Sequence, residues 1–195
     1  MDFLIKLLII FCLSSCQVLD LAKNKILKNS KFNFSETPSS VLIATEDDKA
    51  NEFKLIHQND DEYIWKSISY DEVLVTVNGK VIEKYNEYRD FKTSINKKHY
   101  RNFYKDGYEY DSYIEFYNPN SGTLHAKSIF SFIKEEFIQM KDGYRLKAFV
   151  YKETIYIDKL NKKYINYYWL NTDGNVIKTK QVINPLSPPI TTYYK

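Results

Sequence analysis

Cysteine is nearly missing from this chain of 195 residues: only Cys12 and Cys16 occur, both close to the start. If the leader is removed before Cys16, no disulfide can form, although an oxidising compartment would permit one. Stability must then come from an ordinary apolar core, and residues 16–195 are enough to bury one. Glycine is also scarce, with five in all, and no glycine-rich phosphate loop can be traced. Of the three histidines, His57, His99 and His125, none stands at metal-ligand spacing from another histidine or a cysteine, so zinc and haem lack support. The Gly-Ser pattern of a nucleophile elbow is absent. Acid pairs such as Asp47-Asp48 and Glu135-Glu136 sit mostly at turns, where solvated side chains are the default rather than two carboxylates across a cleft. No catalytic, metal or cofactor assignment follows, and a non-enzymatic protein is expected. Arginine occurs only at 89, 101 and 145, and the net charge is +3. So weak a charge, carried mainly by lysine, argues against a nucleic-acid partner.

Long hydrophobic runs are lacking too. The longest apolar stretch, 7–13, is short for a spanning helix, which needs roughly 20 residues. It follows Lys6 and ends in small residues, the form of a secretory leader. Leu13-Ser14-Ser15-Cys16 has the shape of a bacterial lipobox, in which small neighbours admit the peptidase and the thiol accepts diacylglycerol. Residues 1–15 are therefore expected to be a lipoprotein signal peptide. Cys16 is the expected lipid attachment point, bearing diacylglycerol and N-acyl chains that hold the protein at a membrane. Two or more chains give stable anchoring, at about 0.8 kcal/mol per buried methylene. Gln17 follows the cysteine, where an aspartate would favour the inner membrane; by analogy with other bacterial lipoproteins the outer membrane is expected.

Residues 16–40 form the lipidated terminus, an amphipathic stretch and a linker. Val18, Leu21, Ala22, Ile26 and Leu27 fall at mostly helical spacing, suited to the bilayer surface or to an open side of the following domain. From 41 onward the period becomes two, and 41–195 reads as a single antiparallel β domain. The alternation at 72–77, then Asn78-Gly79, then 80–85 is the strongest hairpin signal, because both turn residues require positive φ. Residues 86–106 break the pattern and are expected to hold a helix or a long loop. Further strands are expected at 41–46, 52–58, 63–67, 108–117, 123–133, 137–140, 144–151, 154–158, 164–170, 175–183 and 190–194, with Lys152-Glu153 marking a bulge or an edge. About ten strands on short turns indicate an all-β fold, either a sandwich or a strongly curved half-barrel, with few short helices beyond the N-terminal one.

Aromatic residues are what the chain has in abundance, with 18 tyrosines and 12 phenylalanines. Tyr63, Trp65, Tyr168 and Trp169 form two aromatic strand segments. They are candidates for a stacking platform for sugar rings or a partner's side chain, with core packing as the competing reading.

At these segments the chain resembles the YjbF/GfcB-type lipoproteins, encoded with group 4 capsule and related exopolysaccharide systems. The matching pieces run in one order: the lipobox at Cys16, the amphipathic stretch, 41–45, Tyr63-Ile64-Trp65-Lys66, the hairpin 73–82, Tyr168-Trp169-Leu170-Asn171-Thr172-Asp173-Gly174, its continuation to Gln181, and 189–193. Residues 83–106 match weakly. The resemblance implies an all-β, periplasm-facing outer-membrane lipoprotein in capsule or exopolysaccharide assembly or export, with polysaccharide or export-machinery proteins as partners and no known catalytic residues. The competing expectation is a lipid or lipoprotein carrier, similar to lipoprotein-localisation factors, whose curved sheet holds acyl chains in a large apolar cavity.

Overall fold

In the computed structural model the period-two segments are strands, and the sheet they form has no end. Residues 41–46, 49–59, 61–86, 89–117, 120–140, 143–184 and 187–194 are described. The chain divides into two units, 1–37 and 38–195. The first lies outside the described residues, as do the lipobox Leu13, Ser14, Ser15 and Cys16 and the amphipathic stretch.

Twelve strands follow one another: β1 (Val41–Glu46), β2 (Lys49–Asn59), β3 (Glu62–Ser67), β4 (Val73–Val77), β5 (Lys80–Tyr85), β6 (Arg89–Ile95), β7 (Glu109–Tyr117), β8 (Asn120–Gln139), β9 (Arg145–Ile157), β10 (Lys162–Leu170), β11 (Val176–Gln181) and β12 (Ile190–Tyr194). Each pairs antiparallel with its sequence neighbours, and β12 pairs with β1, from Leu42–Tyr194 to Thr45–Thr191, to close a barrel. The all-β expectation holds, but the sandwich or half-barrel of about ten strands is corrected to a closed barrel of twelve. The elements depart from expectation in three places, and the β1–β12 pairing closes the sheet. The segment read as broken contains β6 and a short 3-10 helix, Lys97–Asn102. The segments 123–133 and 137–140 are one strand, β8, interrupted only by a bulge between Phe132 and Lys134. Lys152-Glu153 is neither edge nor bulge but the interior of β9, paired on both sides.

Alternation sorts the side chains. In β7, Tyr110, Ser112, Ile114 and Phe116 are buried, while Glu109 and Asp111 are exposed. Apolar residues thus face inward, and charges such as Lys127 and Glu109, bonded at 2.6 Å, face out. This is the inverse of a membrane-spanning barrel, which turns an apolar band to lipid.

Twelve strands enclose more space than the eight whose inward side chains just fill a barrel. Two chain segments fill the excess. The β4–β5 hairpin carries its tip inside, with Val77, Lys80, Val81 and Ile82 all buried. The β6–β7 connection supplies Tyr100 and Phe103, which pack with Tyr110, Phe130 and Tyr168; Phe103 lies 5.2 Å from the Tyr110 ring and 5.4 Å from the Phe130 ring. A separate cluster of Leu42, Phe53, Trp65, Leu74, Leu124 and neighbours fills more of the interior.

Candidate functional site

The inward hairpin brings a cation into the core. Lys80 follows the Asn78-Gly79 turn, so burying the tip buries its ammonium. Glu153 on β9 receives it, with Lys80 Nζ 2.7 Å from both carboxylate oxygens. Tyr110 donates to Oε1 at 2.5 Å, and Tyr168 and Asn166 donate to Oε2 at 2.8 and 3.1 Å. Glu153 is wholly buried. Burial pushes its carboxyl upward, but the Lys80 charge and the bonds from Lys80, Tyr110 and Tyr168 outweigh it and hold the group below its ordinary value. The same burial, reinforced by the Glu153 charge, raises the Tyr110 and Tyr168 hydroxyls well above theirs.

Gln181 on β11 extends the network. Its amide donates to the Gly79 carbonyl at 2.8 Å and to Thr179 Oγ1 at 2.9 Å, and its carbonyl accepts from the Val81 N–H at 3.0 Å. Tyr194 also donates to the Gly79 carbonyl, at 3.1 Å. Asn78 is tied to the β6–β7 connection, donating to the Tyr100 carbonyl at 3.0 Å and accepting from Tyr104 at its own carbonyl. The tip of one hairpin is therefore held by four other parts of the chain: β9, β11, β12 and the β6–β7 connection.

A pH dependence follows. Because the folded Glu153 carboxyl lies below its ordinary value of 4.5, its contribution is present above that pH and is lost as pH falls through the lower folded value. The stability gap between wild type and Glu153→Gln should accordingly narrow between neutral pH and pH ~3, as read by urea midpoints. A gap that stays constant would show that the carboxylate contributes no such linkage.

Lys80, Thr93, Asn166 and Gln181, with apolar neighbours, line a cavity of about 20 Å³, room for roughly one water. An acyl-chain carrier needs a large apolar cavity, and the described residues instead fill the barrel interior with side chains. Among the described residues no group of three or more histidine, cysteine or carboxylate side chains is placed to hold a metal. His125 meets Asp111 at 3.0 Å on the surface, and His99 meets Tyr108 at 2.7 Å.

The four candidate platform residues do not share a surface; for Trp65 and Tyr168 core packing, the competing reading, is what the structure has. Trp65 is buried and donates Nε1–H to Thr76 at 2.9 Å, with Tyr63 stacked 6.2 Å away and half-buried. Tyr168 is buried on Glu153. Trp169, its neighbour, points to the opposite face of the strand; it is half-buried, donates to Glu136 at 2.6 Å and carries Lys178 4.7 Å from its ring. Sequence reasoning missed Lys80, Glu153, Tyr110, Asn166 and Gln181. The one local signal was Glu153 in step with Ile155 and Ile157, at inward positions.

A closed, neighbour-paired β barrel with a filled, charge-locked interior is the class of protein this fold defines. A sequence model of the family described as group 4 capsule polysaccharide lipoprotein GfcB, YjbF, matches residues 29–194. The chain belongs to that family. Among solved structures it is similar to the hypothetical lipoprotein YmcC of Escherichia coli K12, with a TM-score of 0.69 and 18% identity over 90% of this chain and 96% of that one. A Bacteroides fragilis protein described as having a YmcC-like fold is more distant, with a TM-score of 0.39 and 10% identity over 82% of this chain and 95% of that one. No curated protein sequence matches.

Proposed function

We propose that this protein is a lipid-anchored, periplasm-facing outer-membrane accessory of capsule or exopolysaccharide assembly or export. It acts by binding glycan or another envelope protein and not by catalysis. The family match over 29–194, whose description joins a lipoprotein to capsule polysaccharide, carries this reading. The lipobox at Leu13-Ser14-Ser15-Cys16 supports the anchor, and Gln17 after the cysteine supports the outer membrane. The filled interior favours a binding surface on the outside of the barrel over an internal ligand or an acyl-chain carrier.

Deleting the protein from its own bacterium is expected to reduce surface polysaccharide, measured by capsule staining and extraction. Cys16→Ala should abolish labelling by a clickable fatty acid and reproduce much of the loss. Unchanged surface polysaccharide after complete deletion would overturn the capsule role, and an unlabelled wild-type protein would overturn the anchor.

A further inference from the structure

The β8–β9 hairpin outgrows the barrel. β7 leaves β8 at Ile129, its last partner being Glu109, and β10 leaves β9 at Phe149, opposite Leu170. Beyond these points β8 and β9 pair mainly with each other, to Gln139–Arg145. Ile138 and Ala148 pack against Ile177 of β11, but other large apolar side chains at the hairpin's end stay exposed. Phe137 is 64% exposed, Tyr144 72% and Leu146 39%.

The pairing register puts these residues on both faces. Phe137 stands opposite Lys147 and Gln139 opposite Arg145, on one face; Ile138 stands opposite Leu146 on the other. There Ile138 is buried with Ala148 and Ile177, while Leu146 and Tyr144 stay exposed beside it. The Met140 N–H bonds to the Tyr144 carbonyl at 2.8 Å and continues that second face. A folded partner docking on a sheet covers one face. A fluid, apolar-to-polar boundary surrounds both. Arg145, with its guanidinium 5.6 Å from the Phe137 ring centre, adds a cation where lipid phosphates would lie, and tyrosine and arginine suit the interfacial layer of a bilayer.

Two further observations favour lipid over a second strand. Along the β8 edge turned away from β9, no strand among the described residues pairs with Ile133–Gln139. Lys134, Glu135 and Glu136 interrupt this edge, and charges there discourage addition of another strand. The topology also fixes which end of the barrel is concerned. In a closed up-and-down meander, odd strands start and even strands finish at the same end. The β8–β9 tip and Val41, the first residue of β1, are at that common end.

We propose that the β8–β9 tip, through Phe137, Tyr144 and Leu146 with Arg145, is a membrane-interface contact that sets the barrel's orientation on the bilayer. The assignment rests on the reading that the protein works at a membrane, and its test is built to be independent of native lipidation. The mature chain, with a hexahistidine tag replacing Cys16, contains no other cysteine. It can be tethered to phosphatidylethanolamine–phosphatidylglycerol vesicles containing a nickel-chelating lipid. An environment-sensitive dye is placed at Tyr144→Cys or, at the opposite end, at Asp71→Cys, and quenching by lipids brominated on the acyl chains is measured.

Quenching at 144 is expected to exceed that at 71 at least threefold, and Phe137→Ser with Leu146→Ser should abolish the difference while leaving the thermal midpoint within two degrees. Equal quenching at both sites would overturn the proposal. So would a label at 144 that is shielded from water but not quenched, in a chain that sedimentation shows to be dimeric, since a second copy would then be the occupant. Native lipidation at Cys16 is read separately by fatty-acid labelling, so loss of the anchor and loss of the tip contact give different results.

Discussion

Glu153→Leu is expected to destabilise the barrel by about 3–5 kcal/mol, the cost of leaving one member of a buried ion pair without its partner. The lysine ammonium cannot escape to water, because Lys80 sits on the inward hairpin tip and is itself buried. Three further donors, on Tyr110, Tyr168 and Asn166, lose their acceptor at the same time. Against a total stability of roughly 5–15 kcal/mol, this is a large share, and at about 2–4 °C per kcal/mol the thermal midpoint should fall by roughly 6–20 °C. Lys80→Met should do comparable damage, because it strands the carboxylate. The double variant distinguishes a charge-pair effect from general loss of packing. Lys80→Met with Glu153→Leu should be clearly less damaging than the sum of the two single changes, with a coupling of about 2–3 kcal/mol by urea unfolding. Strict additivity would mean that the pair does not act as a unit. Full recovery is not expected, since the tyrosine and asparagine donors would still lack their acceptor.

The alternation that made the strands legible is also what concealed this pair. A charged Lys152-Glu153 between apolar runs reads locally as a break, since a carboxylate in the interior is costly unless matched. Its match, Lys80, stands 73 positions away, directly after a turn whose residues look like any solvent-facing hairpin. Nothing within either segment says that the Asn78-Gly79 tip points inward. That is decided by the barrel's width, which depends on how many strands close the sheet. The count was in turn hidden in the middle of the chain, where β6 lies in a polar segment with no clear period. The last strand, 190–194, was legible as a strand, but nothing local says that it pairs with β1 and closes the sheet. Local period and turn chemistry gave the all-β class and most strand positions. Closure, the inward plug and the aromatic packing of Tyr100 and Phe103 depend on contacts far apart in sequence. Between the two readings of the aromatic segments the sequence did hold a clue: Tyr168 and Trp169 are adjacent, and adjacent strand residues face opposite ways, so only one could be exposed on a common surface with Trp65.

The hairpin tip makes a second sharp demand, at Gly79. Its φ is +76°, a conformation that costs an L-residue about 1–2 kcal/mol. Many hairpin glycines stop there, and Gly122, Gly143 and Gly174, also at positive φ, have open space where a Cβ would go. Gly79 does not. A Cβ added to it would sit 2.6 Å from Val176 Cγ1 and 2.9 Å from Val176 Cβ, on β11 across the interior. Val176 is β-branched and stiff at χ1, so relief must come from moving backbone. The tip cannot retreat easily, because the Gly79 carbonyl accepts from both Gln181 and Tyr194. Overpacking of this kind adds about 1–3 kcal/mol. Gly79→Ala should therefore cost about 2–5 kcal/mol by urea unfolding, while Gly143→Ala, strained in φ alone, should cost no more than about 2. Adding Val176→Ala to Gly79→Ala removes the Cγ1 contact but keeps Cβ at 2.9 Å, so it should restore only part of the steric share. Val176→Gly, which removes that Cβ too, should relieve the clash itself and leave the conformational cost. If Gly79→Ala proved no worse than Gly143→Ala, the hairpin tip would not be seated against β11, and the barrel interior would have to be filled in some other way.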